Sequence, residues 1–570
     1  MPGFEGALPR GVAPAGEFHA DAFSRLHLTQ GQANAAATRR AKMLARGSHA
    51  QRAILLPSAP RWACGLWMTA EGRTGVLPSG CRPRSTLSVA VRALRALALP
   101  ASSIALSFAA LACRHFEPAP LSPDAAAEAL EKRSLADPGL RSLFETVLPS
   151  PPPQWPLEKW DLTALTLVAL YFQPSLDLAR AQAHVAEAGV ATAGARPNPT
   201  LSFLPQYVSS SEPGVGPSPW VVTASLDWPI ETAGKRGYRI QHAQELASAA
   251  QLALDSAAWQ VRARVRAQLL DFVAARDRAL RLAEQSKSEE QVVALLEERV
   301  RLGAASLAEL APARVAALQS SADLAEIERQ RAEAWVRFAE ALGLTPRALE
   351  GIEIEFSVDT DLRGGALAAL PPEEIRRRGL QNRADLKAAL MEYEASQSAL
   401  QLEIAKQYPD LRIGPGYEYD QGLNKWAVVG VSVELPVMNR NEGPIGEAEA
   451  RRGEAAARFV SLQAQAIAEI DRALANQEAA REALRRSESV LAAEHERVRA
   501  NEQALRAGAA DLLALRTAQA EAARAERIAL DAKVRVQQAM GDLEAAVQEP
   551  LEAAPPPSGG KPAPSEPGAP

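Results

Sequence analysis

Apolar residues recur at spacings of three and four through two long stretches, about Lys235 to Arg301 and about Gly446 to Arg506, neither of which holds an internal proline. In the first, Val261, Val265, Leu269, Phe272, Leu280, Val292, Leu295 and Leu302 keep this period, which marks a helix with one apolar stripe. At 1.5 Å per residue such rods reach roughly 90 to 100 Å. No small domain covers a rod of that length, so the rods are predicted to lie side by side like coiled coils, and abundant alanine lets them approach closely. Each ends at a glycine, beyond which a return helix is expected, about Ser306 to Leu342 and Asp511 to Val547.

A different period precedes each rod. In Trp220 to Trp228 and in Leu411 to Asp420 every second residue is apolar, as in a strand with one greasy and one polar face. Partner segments Thr200 to Ser209 and Trp426 to Leu435 complete two hairpins, with turns at Ser211 to Pro219 and Gln421 to Asn424. Ahead of the hairpins, Ala-rich helical stretches (about Leu176 to Ala195 and Arg383 to Gln407) stop at Pro197/Pro199 and Pro409. Strands of about 9 to 11 residues with aromatic ends suit the wall of a transmembrane barrel, and an ordinary soluble sheet meets the same pattern. Four strands close no barrel, and membrane strands leave no open edges. If these strands are membranous, several chains share one barrel.

The two halves superpose in sequence. Asp177-Leu178 matches Asp385-Leu386 at an offset of 208, Pro199 matches Pro409 at 210, Pro229-Ile230 matches Pro436-Val437 at 207, and Arg301-Leu302-Gly303-Ala304-Ala305 matches Arg506-Ala507-Gly508-Ala509-Ala510 at 205. The expected fold is therefore mainly α with a small β part and an internal tandem duplication. Repeat 1 spans 162–350, with its hairpin at about 200–230 and its tip at about 301–306. An equatorial connection spans 351–382. Repeat 2 spans 383–548, with its hairpin at about 411–436 and its tip at about 506–511.

Charge sets the start of the chain apart. Of 570 residues, 47% are hydrophobic and 23% charged, with a net charge of -5, yet residues 1–112 hold 13 Lys/Arg against 4 Asp/Glu while the remainder holds 50 against 64. A basic leader on an acidic body reads as a targeting region plus a mature protein, without a basic stripe for nucleic acid. Arg92 and Arg95 precede an apolar run from Ala96 that ends at Ala110-Leu111-Ala112-Cys113, the layout of a signal peptide over 92–112. This ending resembles a bacterial lipoprotein box, with Ala110 where leucine is usual. The resemblance implies lipidation of Cys113; an ordinary cysteine in a cleaved leader is the alternative. Arg114 follows, consistent with outer-membrane sorting. Residues 1–91 are read as an extension ahead of the native start, or else as a disordered segment, 113–161 as a lipoprotein linker, and 549–570 as a disordered Pro-rich tail. Cys64, Cys81 and Cys113 are the three cysteines, so the body holds no disulfide framework or thiolate metal site.

From about Leu162 to Val547 these landmarks resemble the outer-membrane efflux protein family, the TolC-like channels, in the lipoprotein-type branch of outer-membrane factors. Three features carry the likeness: Pro229 and Pro436 ending the hairpins, the Gly234-Lys235-Arg236 and Asn439-Arg440-Asn441 entries to the rods, and a Gly-turn at each rod tip. The resemblance implies a homotrimer in which four strands per chain form a 12-stranded outer-membrane barrel, while the helices form a periplasmic tunnel. It also implies that Leu302, Gly303, Ala304, Ala305, Ala507, Gly508, Ala509 and Ala510 dock a periplasmic adaptor. Well-known members carry aspartates beyond the second turn that constrict the tunnel. The matching positions here are Ala514 and Thr517, while Glu309 stands in the corresponding place after the first turn and is the candidate constriction.

Catalytic chemistry is not expected. His184, His242 and His495 are far apart, no pair has metal-ligand spacing, and neither a nucleophile elbow nor a phosphate-binding loop is present. No cofactor, metal site or nucleic-acid partner is implied. The expected function is the exit duct of a tripartite efflux pump, a passive conduit for small molecules or metal ions. By that resemblance its partners are the adaptor, an inner-membrane pump of the resistance-nodulation-division type, and outer-membrane lipid. Alternatives are a type I protein-secretion outlet or a non-channel periplasmic coiled-coil scaffold.

Overall fold

In the computed structural model, residues 115–148, 154–209, 218–359 and 370–550 are described. Cys113, the signal region 92–112, the extension 1–91 and nearly all of the tail lie outside them. The chain forms two compact units, Met1–Ala129 and Leu130–Pro570. The described part of the first runs from His115 into helix α1 (Pro123–Glu131), which buries no residue.

The second unit opens with α2 (Pro138–Val147), capped by Asp137, and the two-residue strand β1 (Lys159–Trp160). Helix α3 (Leu162–Phe172) is apolar on all sides and almost wholly enclosed, as such a helix must be in protein surroundings. A proline at Pro174 starts α4 (Pro174–Gly194). Strands β2 (Thr200–Tyr207) and β3 (Trp220–Ile230) form the first hairpin, and α5 (Lys235–Arg301), α6 (Leu307–Leu342) and the short β4 (Glu353–Ile354) follow. The second repeat comprises α7 (Pro372–Asn382), α8 (Ala384–Ala405), β5 (Leu411–Asp420), β6 (Leu423–Val433), α9 (Glu442–Arg506) and α10 (Leu512–Val547). The same order of helix, hairpin, long rod and return helix is thus built twice. No single described helix is long and apolar enough to cross a membrane.

The rods measure 67 and 65 residues, about 100 Å each at helical rise. Rod α9 begins at Glu442, four residues before the expected start. Pro444 falls in its first turn, where a missing N–H costs nothing because that donor has no helical acceptor. Each rod packs on its own return helix, α5 on α6 and α9 on α10, and α10 packs on α5 to join the repeats. Val265, Leu269 and Val273 of α5 and Ile470, Val536 and Leu543 of the second repeat are fully buried.

A clasp gathers the ends of α3 and α6 beside the middle of rod α5, where Phe338 stacks on Phe272. β1 pairs in parallel with β4, joining the N-terminal linker to the equatorial connection. Phe144, Trp155 and Trp160 pack edge-on beneath it at centroid separations of 5.1 to 6.2 Å. The Arg133 guanidinium donates to the carbonyls of Phe172 (2.6 Å) and Gly343 (2.9 Å), capping the ends of α3 and α6 together.

The two hairpins unite in one antiparallel sheet ordered β2-β3-β5-β6. Two boundaries differ from the sequence reading. β6 starts at Leu423 because the turn is only Gln421-Gly422, both residues at positive φ (45° and 104°), so the ladder runs right to the turn. Pro229 lies within β3, paired with Arg412, while Pro436 falls beyond the end of β6. The prolines therefore occupy different places in their hairpins.

A candidate channel wall and its tips

Register decides which residues share a face. Leu201, Phe203 and Tyr207 of β2 stand opposite Leu226, Ala224 and Trp220 of β3. Val222, Ala224, Trp228 and Ile230 in turn face Tyr419, Tyr417, Ile413 and Leu411 of β5, and these last three face Trp426, Val431 and Val433 of β6. All of them lie on one side, since directly opposed residues of a ladder point the same way. That side is a continuous apolar surface across four strands, with Tyr207–Trp220 and Tyr417–Trp426 ring pairs at 5.3 and 4.6 Å. The opposite side carries Ser202, Gln206, Thr223, Ser225, Asp227, Arg412, Glu418 and Asp420, and Lys425 bridges Asp420 (2.7 Å) and Glu418 (3.2 Å) there. Both outer strands, β2 and β6, keep one edge unpaired.

The sheet is fixed to the rods by charge. Lys235, at the start of α5 and almost fully buried, donates to the Tyr408 carbonyl (2.6 Å) and to Asp410 (2.8 Å), just before β5. Thr232 adds its own N–H to the same carboxylate at 2.9 Å. Burial pushes the Asp410 carboxyl up, but the bonds from Lys235 and Thr232 outweigh it and hold the group below its ordinary value. In the second repeat Asn441, at φ 63°, ties to the Glu403 carbonyl (2.8 Å).

At the far end both rods stop in the same motif. Gly303 and Gly508 each sit at φ 72°. Gly303 N–H bonds to the Val300 carbonyl and Ala304 N–H to that of Arg299, and Gly508 and Ala509 repeat this on Leu505 and Ala504. This is a Schellman turn, which satisfies the last carbonyls of a helix and needs a residue in the left-handed region. Nothing lies within 4 Å of a side chain added at either glycine, so backbone conformation alone demands them. The tips then diverge. Ser306 caps α6 in a capping box with Glu309, whose Oε1 lies 2.9 Å from the Ser306 hydroxyl. The equivalent Asp511 caps α10 through the Ala514 N–H (2.8 Å) and also receives Arg299 at 2.5 Å. Leu302 and Leu307 of the first tip are both 69% exposed. The eight tip residues named from sequence thus form two like turns, and Glu309 is engaged in its own helix cap. Thr517 bonds back to the Leu513 carbonyl.

Sequence reasoning missed the seam between the repeats. Along α5 and α10 run Arg262–Glu544 (2.6 Å), Arg266–Glu544 (3.5 Å), Arg278–Asp531 (2.6 Å), Arg281–Glu526 (3.1 Å), Arg524–Glu289 (3.2 Å) and, last, Arg299–Asp511. At one end Arg262, Arg266, Gln537 and Glu544 are buried. The sequence signal was the run of arginines on α5, which had no visible partners until the helices were set in register. Among the described residues no group of three or more His, Cys, Asp or Glu is placed to hold a metal ion. His184 meets Glu187, His242 meets the Ala395 carbonyl, and His495 meets Glu526.

The chain thus carries a sheet with one apolar face and two open edges on paired rods of 67 and 65 residues. Residues 168–344 and 376–547 match the outer membrane efflux protein family, one match per repeat, and the chain belongs to that family. It is an outer-membrane protein. The chain is 29% identical over 294 residues to the cobalt-zinc-cadmium resistance protein CzcC of Cupriavidus metallidurans, across 48% of this chain and 64% of that protein, less than two thirds of its length. Its fold matches the outer-membrane channel OprN (TM-score 0.57, 18% identity, 77% of this chain and 98% of that one). It also matches the outer membrane protein VceC of Vibrio cholerae (TM-score 0.55, 20% identity, 69% and 97%).

Proposed function

We propose that this chain is the outer-membrane exit duct of a tripartite efflux pump, working as a homotrimer. The observation that carries the reading is the sheet. Its apolar face suits lipid and its polar face suits water, but its two open edges would each leave a row of backbone groups unsatisfied in a bilayer. Three copies, edge to edge, give a closed barrel of twelve strands, with Lys425, Glu418, Asp420 and Arg412 lining the bore. The tips at Gly303 and Gly508 receive the periplasmic adaptor, Cys113 carries the lipid anchor, and an inner-membrane pump supplies the energy. Transport through the duct is passive. The name of the cobalt-zinc-cadmium relative supports divalent metal ions as cargo.

Fractionation of cells expressing the full chain tests this reading. A heat-modifiable trimer in the outer membrane is the expected result. A soluble periplasmic monomer would reject it in favour of a coiled-coil scaffold.

A further inference from the structure

Charge is distributed unevenly along the polar side of the sheet. The four strands carry five charged residues, Asp227, Arg412, Glu418, Asp420 and Lys425, and pairing places all five on that side. Near the rods Arg412 stands opposite Pro229 and Asp227 opposite Thr200, adjacent rows with one charge of each sign. The next row, Ser202, Ser225, Gly416 and Ala427, is uncharged and small. Beyond it, toward the Gln421-Gly422 turn and away from the rods, Glu418 faces Lys425 and Asp420 ends the strand. The Lys425 Nζ lies 2.7 Å from Asp420 and 3.2 Å from Glu418. These three side chains are 34% to 53% exposed, so the cluster is open to solvent rather than packed away. The charges cancel at the rod end, whereas two carboxylates against one ammonium leave a net negative charge at the turn end.

We propose that Glu418, Asp420 and Lys425 form the charge-selecting ring at the outer mouth of the duct, and that Lys425 sets its strength. The proposal rests on the shared-barrel reading and adds the residues that decide which ions the barrel admits. Three copies bring six carboxylates and three ammoniums to one ring, so Lys425 cancels half of its negative charge and leaves the ring favouring cations. Twelve strands about 4.8 Å apart and tilted about 40° close at a diameter of roughly 24 Å. The axis is therefore within about 12 Å of the wall, close to the Debye length of about 10 Å at 0.1 M salt and well beyond the ~3 Å at 1 M. At the lower salt the ring's field spans the mouth; at the higher salt it does not. The rods, about 100 Å long, separate this ring from any charge at the tips.

Reversal potentials of the full-length purified protein in planar bilayers, in a potassium chloride gradient near ~0.1 M, test this. The unsubstituted duct should prefer potassium to chloride. Lys425→Met should raise the potassium-to-chloride permeability ratio by about twofold or more, while Lys425→Arg should keep it. Glu418→Gln and Asp420→Asn should each lower the ratio, and the two together, which leave three ammoniums unopposed, should invert it. These shifts should persist when Glu309→Gln is added and should fade near ~1 M salt. Conducting channels whose ratio is the same in Lys425→Met and in the doubly neutralised variant, or moves the same way in both, overturn the ring and leave the duct standing. Unsubstituted protein that is monomeric and gives no conductance overturns both.

Discussion

Arg299 donates to Asp511 at 2.5 Å, tying the last turn of the first rod to the residue that caps the second return helix. The two residues lie 212 positions apart. The two tips, which are separate turns in the sequence, are thereby joined within one chain.

The pair should respond to acid. The Arg299 bond and the Ala514 and Leu513 N–H groups hold the Asp511 carboxyl below its usual value. A depressed carboxylate contributes stability that is present above the ordinary aspartate value, ~4, and lost as pH falls through the lower folded value. The pair is exposed, so its contribution is modest, about 0.5 kcal/mol. Arg299→Ala, and Asp511→Asn which keeps an acceptor for the cap, should each broaden the distance distribution between spin labels at Leu302 and Ala507 at pH 7. In the unsubstituted protein the same broadening should set in below about pH 4. A distribution unmoved by both substitutions would show that the pair does not hold the tips.

Glycines of identical φ should differ in what their replacement costs. Gly303→Ala meets only the left-handed backbone penalty, about 1–2 kcal/mol, confined to a tip with open space around it. At Gly343, also φ 72°, a Cβ would stand 2.6 Å from the Phe172 carbonyl oxygen. Gly343→Ala should therefore lower the melting temperature clearly, whereas Gly303→Ala should raise amide exchange at the tip and leave global melting nearly unchanged.

The buried end of the inter-repeat seam is expected to be the least tolerant of charge loss. Glu544 is 3% exposed and faces both Arg262 and Arg266. Glu544→Ala leaves two buried guanidiniums without their carboxylate, at a cost of about 3–5 kcal/mol. Urea unfolding followed by circular dichroism reads this directly. A loss below about 1 kcal/mol would mean that water reaches the site.

Rods, return helices and both tips were legible in the sequence because their signals are local: a period near 3.6, and a glycine followed by a capping residue. The start of β6 was not. Gln421 adopts a positive φ that its side chain does not announce, so the turn was read two residues too long. Lys235–Asp410 and Arg262–Glu544 span 175 and 282 residues. Such pairs depend on how separate helices are set in register, which no single segment encodes. Glu309 shows the converse. Its carboxylate is bound into the cap of its own helix, a local role that the spacing Ser306 to Glu309 already spells out.

Glu309→Gln separates those two roles, because glutamine preserves a capping box while removing the charge. If three Glu309 carboxylates line the tunnel, the variant should keep its melting temperature and lose cation preference in reversal-potential measurements. An unchanged preference would leave Glu309 with its capping role alone.

Single-channel recording on the purified full-length protein in planar bilayers tests the central claim most directly. A trimeric duct of twelve strands should give discrete conductance steps, and a charge on the lipid-facing side, as in Val431→Arg, should sharply reduce insertion, at about 2–4 kcal/mol for each such side chain. Purified trimer that enters the bilayer and yields no conductance under any applied voltage would contradict the account.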